Sequence, residues 1–256
     1  MLDFLQRPAS IRLRDRPLRR HTSLRIGDER FGVAIVENGR AKRLTLRMLA
    51  QERDGDLMKV TVPPGTDRDE IDDFLERQRD WIARQLASRP QRMPLADGAS
   101  IPVRGVDTRI VHASRGRGAT RLAERDGEPA ILVFGEEEHL TRRVKDLLKK
   151  EARADLRRAV AHHASRLGVR PTSVTIRDTV SRWGSCSTTG ALNFSWRIVC
   201  APPEVLDYLA AHEVAHLREM NHSPRFWARV AETLPGYEEP RRWLKCNGAR
   251  LHAIGS

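Results

Sequence analysis

His212 and His216 stand four residues apart, with Glu213 directly after the first of them. On a helix of about 3.6 residues per turn, two residues at that spacing face the same way and can both offer a ring nitrogen to one cation. This is the ligand spacing of a zinc site. Glu213 lies about 100° further round the helix, within reach of a water on that metal but not placed as a ligand, which is the position of a metallopeptidase general base. His222, six residues beyond His216, offers a third nitrogen. Three protein nitrogens leave a tetrahedral zinc one position short, and an open position distinguishes catalytic from structural sites. With nine His and 17 Glu in the chain, H-E-x-x-H arises by chance about 0.02 times. The bland reading, two satisfied histidines on an amphipathic helix, is correspondingly disfavoured.

The flanking residues predict the elements that hold these groups. Pro202, Pro203 and Glu204 form a helix start, and Val205, Leu206, Leu209, His212, Glu213, His216 and Leu217 recur at helical spacing. Asn221 tolerates a left-handed backbone, useful where the chain must turn to bring His222 back. Ser223-Pro224 is a cap and first-turn pair for a further helix carrying Phe226, Trp227, Val230 and Leu234, and a last helix is expected over 238–251. Upstream, a strand is expected over 173–180. A second strand follows, with Leu192, Phe194, Trp196 and Ile198 on its core face and Asn193, Ser195 and Arg197 on its polar face. Such a strand beside the metal helix could pair with an extended peptide, so Asn193 and Ser195 are candidate substrate contacts. A long helix over 137–167, stopped by Gly168, precedes them. His162 and His163 near its end lack a partner at metal spacing and are read as non-ligands.

The front of the chain reads as β-rich. Apolar runs at 31–36, 44–48 and 57–62, separated by Glu37-Asn38-Gly39 and Asp54-Gly55-Asp56, predict a meander within 11–62. One helix is expected over 67–87, with Asp67 and Glu70 as cap and capping partner. Short β segments follow near 101–103, 108–111 and 130–134, and the Gly- and Arg-rich 114–118 stretch is read as an exposed loop.

The chain has 256 residues, 39% of them hydrophobic, enough for a sizeable core. Neither a signal-peptide run nor 18 consecutive apolar residues is present, so a cytoplasmic protein without a membrane partner is expected. Cys186, Cys200 and Cys246 are an odd number with no C-x-x-C spacing, which suits reduced thiols. The net charge of +12 invites a nucleic-acid partner, but acids are interspersed throughout, so a solvated mixed-charge surface is the stronger reading.

Arg182-Trp183-Gly184-Ser185-Cys186-Ser187, Asn193-Phe194-Ser195-Trp196-Arg197 with Ala201-Pro202, His212 to Leu217, Asn221-His222-Ser223 and Phe226-Trp227 resemble the YgjP-like zinc metallopeptidases. SprT-like and WLM proteases are more distant relatives. Arg40 to Leu44, Val62-Pro63 and Trp81-Ile82 resemble that family's front half. The resemblance implies one Zn2+ on His212, His216 and His222, and Glu213 as the base that activates a zinc-bound water against a peptide or protein substrate. The expected fold is α+β, in three parts. Residues 1–30 are an N-terminal extension and 31–135 a β-rich region with one helix; 136–256 form a zincin-like domain with a small antiparallel sheet and the H-E-x-x-H helix. Metzincin membership is rejected, because Glu219 stands where that family's glycine would be. Glu232, Glu238 and Glu239 are alternative third ligands, and Arg182, Tyr237 and Arg241 are candidate donors to the oxyanion. The competing class is a noncatalytic zinc-stabilised binding module, with nucleic acid as a candidate partner, in which Cys186 or Cys246 closes the metal.

Overall fold

The computed structural model describes residues 19–87, 89–113, 117–179 and 182–255. Much of the expected N-terminal extension, the start of the expected front β region, the first residues of the 114–118 loop and the end of the expected 173–180 strand therefore lie outside the described residues. The chain is α+β, with three small sheets and six α-helices among the described residues. It divides into two compact units at 88/89.

The first unit contains β1 (Arg19–Ile26), β2 (Glu29–Glu37), β3 (Thr45–Arg53) and β4 (Asp56–Val62) in the order β1-β2-β4-β3. β1 lies within the stretch expected to be β-rich, though no strand is named there and it falls inside the 1–30 extension, and it pairs along its whole length with β2. The sheet is not a meander, because β4 inserts between β2 and β3 and runs parallel to β2. The reason is apolar alternation: Met58, Val60 and Val62 on β4 are buried on one face, so the most apolar strand takes a central place. The expected single helix is two, α1 (Arg68–Arg77) and α2 (Arg79–Ala87), broken at Gln78. Asp67 sits at the N-cap of α1, but its side chain makes no capping hydrogen bond. Ile71, Leu75 and Ile82 join the sheet residues in one core.

In the second unit, β5 (Ser100–Val103), β6 (Val106–Ala113), β7 (Arg121–Arg125) and β8 (Glu128–Phe134) form a sheet in the order β5-β6-β8-β7. β7 was not expected, since its sequence, Arg-Leu-Ala-Glu-Arg, has little apolar alternation and is held by its antiparallel pairing with β8. A 3-10 turn leads into α3 (Leu140–Leu167), which Gly168 ends in a left-handed conformation at φ 59°. Ile101, Ile110, Ile131 and Val133 share one core with Val144, Leu148, Leu156 and the elements that follow. The sequence-based boundary at 135/136 thus falls inside a single compact unit, because the 95–135 sheet buries its apolar face in that common core.

β9 (Ser173–Arg177), β10 (Gly184–Cys186) and β11 (Ala191–Ser195) make the third sheet, in the order β10-β11-β9. It is mixed rather than antiparallel, since β9 runs parallel to β11. β11 also ends earlier than its alternation suggests. Trp196–Cys200 turn into a 3-10 helix and bury all five side chains, so Arg197 leaves the expected polar face and becomes 1% exposed. Then come α4 (Pro203–Ala215), α5 (Pro224–Thr233) and α6 (Glu238–His252), all close to their expected bounds.

Candidate metal centre and active site

α4 begins with Pro203 in its first turn and is apolar around most of its circumference: Val205, Leu206, Leu209, Ala210, Ala211, Val214 and Ala215 are buried. Being packed on nearly all sides fixes the direction of the few polar groups it carries. His212 and Glu213 lie in its last turn, and His216 is its C-cap. The chain then tightens, with Leu217 N–H donating to the Val214 carbonyl and Arg218 N–H to that of Ala215, both at 3.0 Å. Arg218 anchors this turn by donating to the carbonyls of Leu167 and Gly168 at the end of α3, at 2.9 and 3.0 Å. Asn221 does not adopt the left-handed backbone expected of it; among the described residues only Asp54, Arg104 and Asp126 do so without being glycine. The return to His222 is completed by α5, whose Ser223 side chain accepts from Phe226 N–H.

The three histidines converge. One ring nitrogen from each of His212, His216 and His222 lies within 4.8 Å of the others, and the Nε2 atoms of His212 and His222 are 3.1 Å apart. Nitrogens about 2.0–2.1 Å from a tetrahedral zinc stand roughly 3.3 Å from one another, so this pair is already at ligand separation. Nδ1–H of His216 points at the Glu219 carbonyl, 3.1 Å away, which fixes the tautomer and leaves Nε2 as the lone-pair donor. Burial, with the neighbouring histidines and Arg241, pushes His212 down to about 3. Burial also lowers His216, against the hydrogen bond to Glu219. Both are neutral near pH 7, the form that binds a metal.

Phe226 packs beneath all three rings, with centroid distances of 4.9, 4.5 and 4.7 Å. Trp227 flanks His212 and His222 at 5.8 and 5.9 Å, and Tyr208 meets His212 at 5.9 Å. From the sequence, Phe226 and Trp227 read as apolar residues of their helix and as part of the family resemblance, without being placed at the metal, and Tyr208 is not singled out. The available signal was position: Tyr208 precedes His212 by four residues, and Phe226 follows His222 by four.

Glu213 is 4% exposed, and its Oε2 has no hydrogen-bond partner among the described residues. Burial pushes its carboxyl up to about 8, and a cation beside it would draw it back toward the ionised form. The carboxylate lies against β10 because position 184 is glycine: a Cβ there would stand 2.3 Å from its oxygen. The orphaned Oε2 and the neutral, converging nitrogens fit a divalent cation with water beside it.

The alternative third ligands are not part of this cluster among the described residues. Glu232 pairs with Arg229 at 2.7 Å, and Glu238 and Glu239 are exposed in the first turn of α6. Cys246 is exposed and Cys186 half-buried, and burial with the Glu213 charge raises the Cys186 thiol away from the thiolate a metal needs. Of the candidate contacts, Tyr237 stacks at 12° on both Tyr208 and Trp227, and Arg241 lies 4.1 Å over the Trp227 ring. Arg182 is exposed. Asn193 accepts from Arg177 at 3.3 Å. Ser195 is fully buried and donates to Thr179, so it serves the sheet. No helix among the described residues is long and apolar enough to cross a membrane.

No curated protein matches this sequence. Among solved structures, the crystal structure of the metallopeptidase zymogen of Pyrococcus abyssi abylysin is 24% identical, matching 36% of this chain and 93% of that one with a TM-score of 0.33. The H-E-x-x-H helix and its third histidine fall within residues 43–247, which match the YgjP-like metallopeptidase domain as a whole, and the chain belongs to that family.

Proposed function

We propose that this peptidase is zinc-dependent, with one Zn2+ held by His212, His216 and His222 and with Glu213 as general base. The observation that carries the reading is a trio of converging imidazoles with no fourth protein donor among the described residues and a buried, unpartnered carboxylate beside it. When bound, the ion supplies Lewis acidity toward a water and toward the scissile carbonyl. Glu213 accepts the attacking water's proton at Oε2 and hands it to the departing amide nitrogen. Phe226 and Trp227 close the underside of the trio and keep bulk water from competing there. Tyr237, stacked between the two rings that border His212, donates its hydroxyl to the developing oxyanion. The edge of β10 not paired with β11 offers main-chain groups to an extended peptide, independent of its sequence.

The test compares wild type with Glu213→Gln on an unfolded protein substrate, with metal content measured on both after dialysis. Both should retain one zinc per chain, a chelator should stop the wild type, and the variant should lose about 10² to 10⁴ in rate. Equal rates with zinc bound would overturn the assignment of Glu213.

A further inference from the structure

A cleft of about 560 Å³ includes in its lining Tyr208, whose ring meets that of His212 at 5.9 Å. One face of α6 forms a wall: Arg241, Leu244, Lys245, Gly248 and His252 recur three and four residues apart and so project together. Trp183 and Tyr208 form the other side. Gly248 sits inside the helix, where glycine costs about 1 kcal/mol relative to alanine. A Cβ there would come 3.1 Å from the Trp183 indole nitrogen, so the glycine lets that ring lie flat against the helix. The indole also stacks on His252, at 4.0 Å and 21°. The floor is thus a rigid aromatic slab.

Three residues of the cleft's lining are linked to the reaction centre, one of them by direct ring contact. Tyr208 is one turn from His212 on α4, Trp183 precedes the Gly184 on which the Glu213 carboxylate rests, and Arg241 covers the Trp227 ring that flanks His212 and His222. A substrate residue adjacent to the scissile bond would therefore lie within side-chain reach of the cleft. The lining carries two permanent cations and no acid. Among the described residues neither Arg241 nor Lys245 pairs with a carboxylate, as Arg104, Arg142, Arg158 and Arg229 of this unit do. Burial holds His252 down to about 4, so it contributes a neutral ring.

We propose that this cleft selects a carboxylate on the substrate, with Arg241 and Lys245 as its recognising cations and Trp183 and Leu244 covering the methylenes that lead to it. The carboxylate is an acidic side chain near the scissile bond or the peptide's own C-terminus. The proposal rests on the peptidase reading above and adds a substrate class to it. Arg241 suits the inner position, since a guanidinium stacked on an indole keeps its in-plane donors free for a carboxylate.

The experiment uses the zinc-loaded full chain and three matched peptide series: Glu scanned through the positions around a cleaved bond with an amidated end, Gln in its place, and Gln with a free C-terminal acid. Hydrolysis by wild type gives kcat/KM, and calorimetry on zinc-loaded Glu213→Gln gives affinity without turnover. A charge-assisted contact at a half-open site should favour one acidic series over the neutral one by about tenfold, and the favoured series tells side chain from C-terminus. The preference should shrink toward one in Arg241→Met and Lys245→Met and invert in Lys245→Glu, where acidic residues are repelled and a Lys-bearing peptide gains. Equal cleavage and equal affinity across the series would overturn the cleft's role and leave the peptidase standing. Tenfold preferential binding that Lys245→Glu reverses, with no peptide hydrolysed by wild type, would uphold the cleft and overturn the peptidase.

Discussion

A single hydrogen at position 184 is what allows the Glu213 carboxylate to lie against β10. Gly184→Ala would place a methyl 2.3 Å from that carboxylate oxygen, and since Glu213 is held in a helix packed on nearly every side, the carboxylate must swing aside. Misplacing a catalytic group by about 1 Å costs on the order of 10²-fold in rate. Gly184→Ala should therefore lose about that much in kcat/KM while metal analysis finds its zinc unchanged, because the atoms nearest the new methyl all belong to Glu213. Loss of zinc in this variant would mean that β10 supports the ligands instead. The trio and Glu213 were legible in the sequence because ligand spacing on one helix is a local property. Phe226 beneath the three rings and Tyr208 beside His212 were not, because an aromatic residue at helical spacing looks the same in the sequence whether it packs on leucine or on a metal ligand.

At the scale of elements, α4 is held from two directions. His163 on α3, fully buried, meets Asp207 on α4 at 3.0 Å, which gives that histidine a structural task and agrees with its reading as a non-ligand. The third sheet is tied to its surroundings through Asp178, just past β9, which pairs with the buried Arg197 guanidinium and, at 3.2 Å, with Lys145 on α3. Arg197 also donates to the Ile254 carbonyl at 3.0 Å. Burial alone would raise the Asp178 carboxyl, but the hydrogen bond and charge of Arg197, helped by Lys145, outweigh it and hold the group at about 2, below its ordinary 3.8. A depressed carboxyl stabilises the fold above its unfolded pKa, and that contribution is lost as pH falls through the folded value. Asp178→Asn strands a buried cation, which costs about 3–5 kcal/mol for a fully buried pair. Because the Asp178 side chain is 37% exposed, screening by water reduces the expected cost to on the order of 1–3 kcal/mol. Denaturant titrations should show this deficit undiminished near neutral pH and narrowing as pH falls from about 4 toward 2. A deficit that stays constant through that range would show that the ion pair is not its source.

At the scale of the whole molecule, the +12 charge bears on partners. Ion pairs such as those of Arg104 with Glu151 and Asp155 occupy part of it locally, so duplex DNA should bind weakly and lose most of its affinity between about 50 and 200 mM salt, as generic phosphate neutralisation requires. Binding that persists near 200 mM, or proteolysis that DNA switches on, would assign the protein a nucleic-acid partner. Sequence by itself determined the α+β class, the bounds of α3, α4, α5 and α6, and which three histidines and which glutamate are proposed as ligands and base. Each of these rests on interactions between residues a few positions apart: helical periodicity, a capping serine at 223, a left-handed glycine at 168, two histidines one turn apart. Tertiary structure alone decided the insertion of β4 between β2 and β3, the parallel pairing of β9 with β11, the membership of β5 to β8 in the core of the second unit, and the turn of Arg197 from a strand face into the interior. It also decided that Trp183, Tyr208 and α6 meet to form a cationic cleft. Those arrangements depend on which distant surfaces bury one another, and apolar burial is non-directional; a strand's alternation shows that it has a buried face, while only the assembled chain selects the neighbour that covers it.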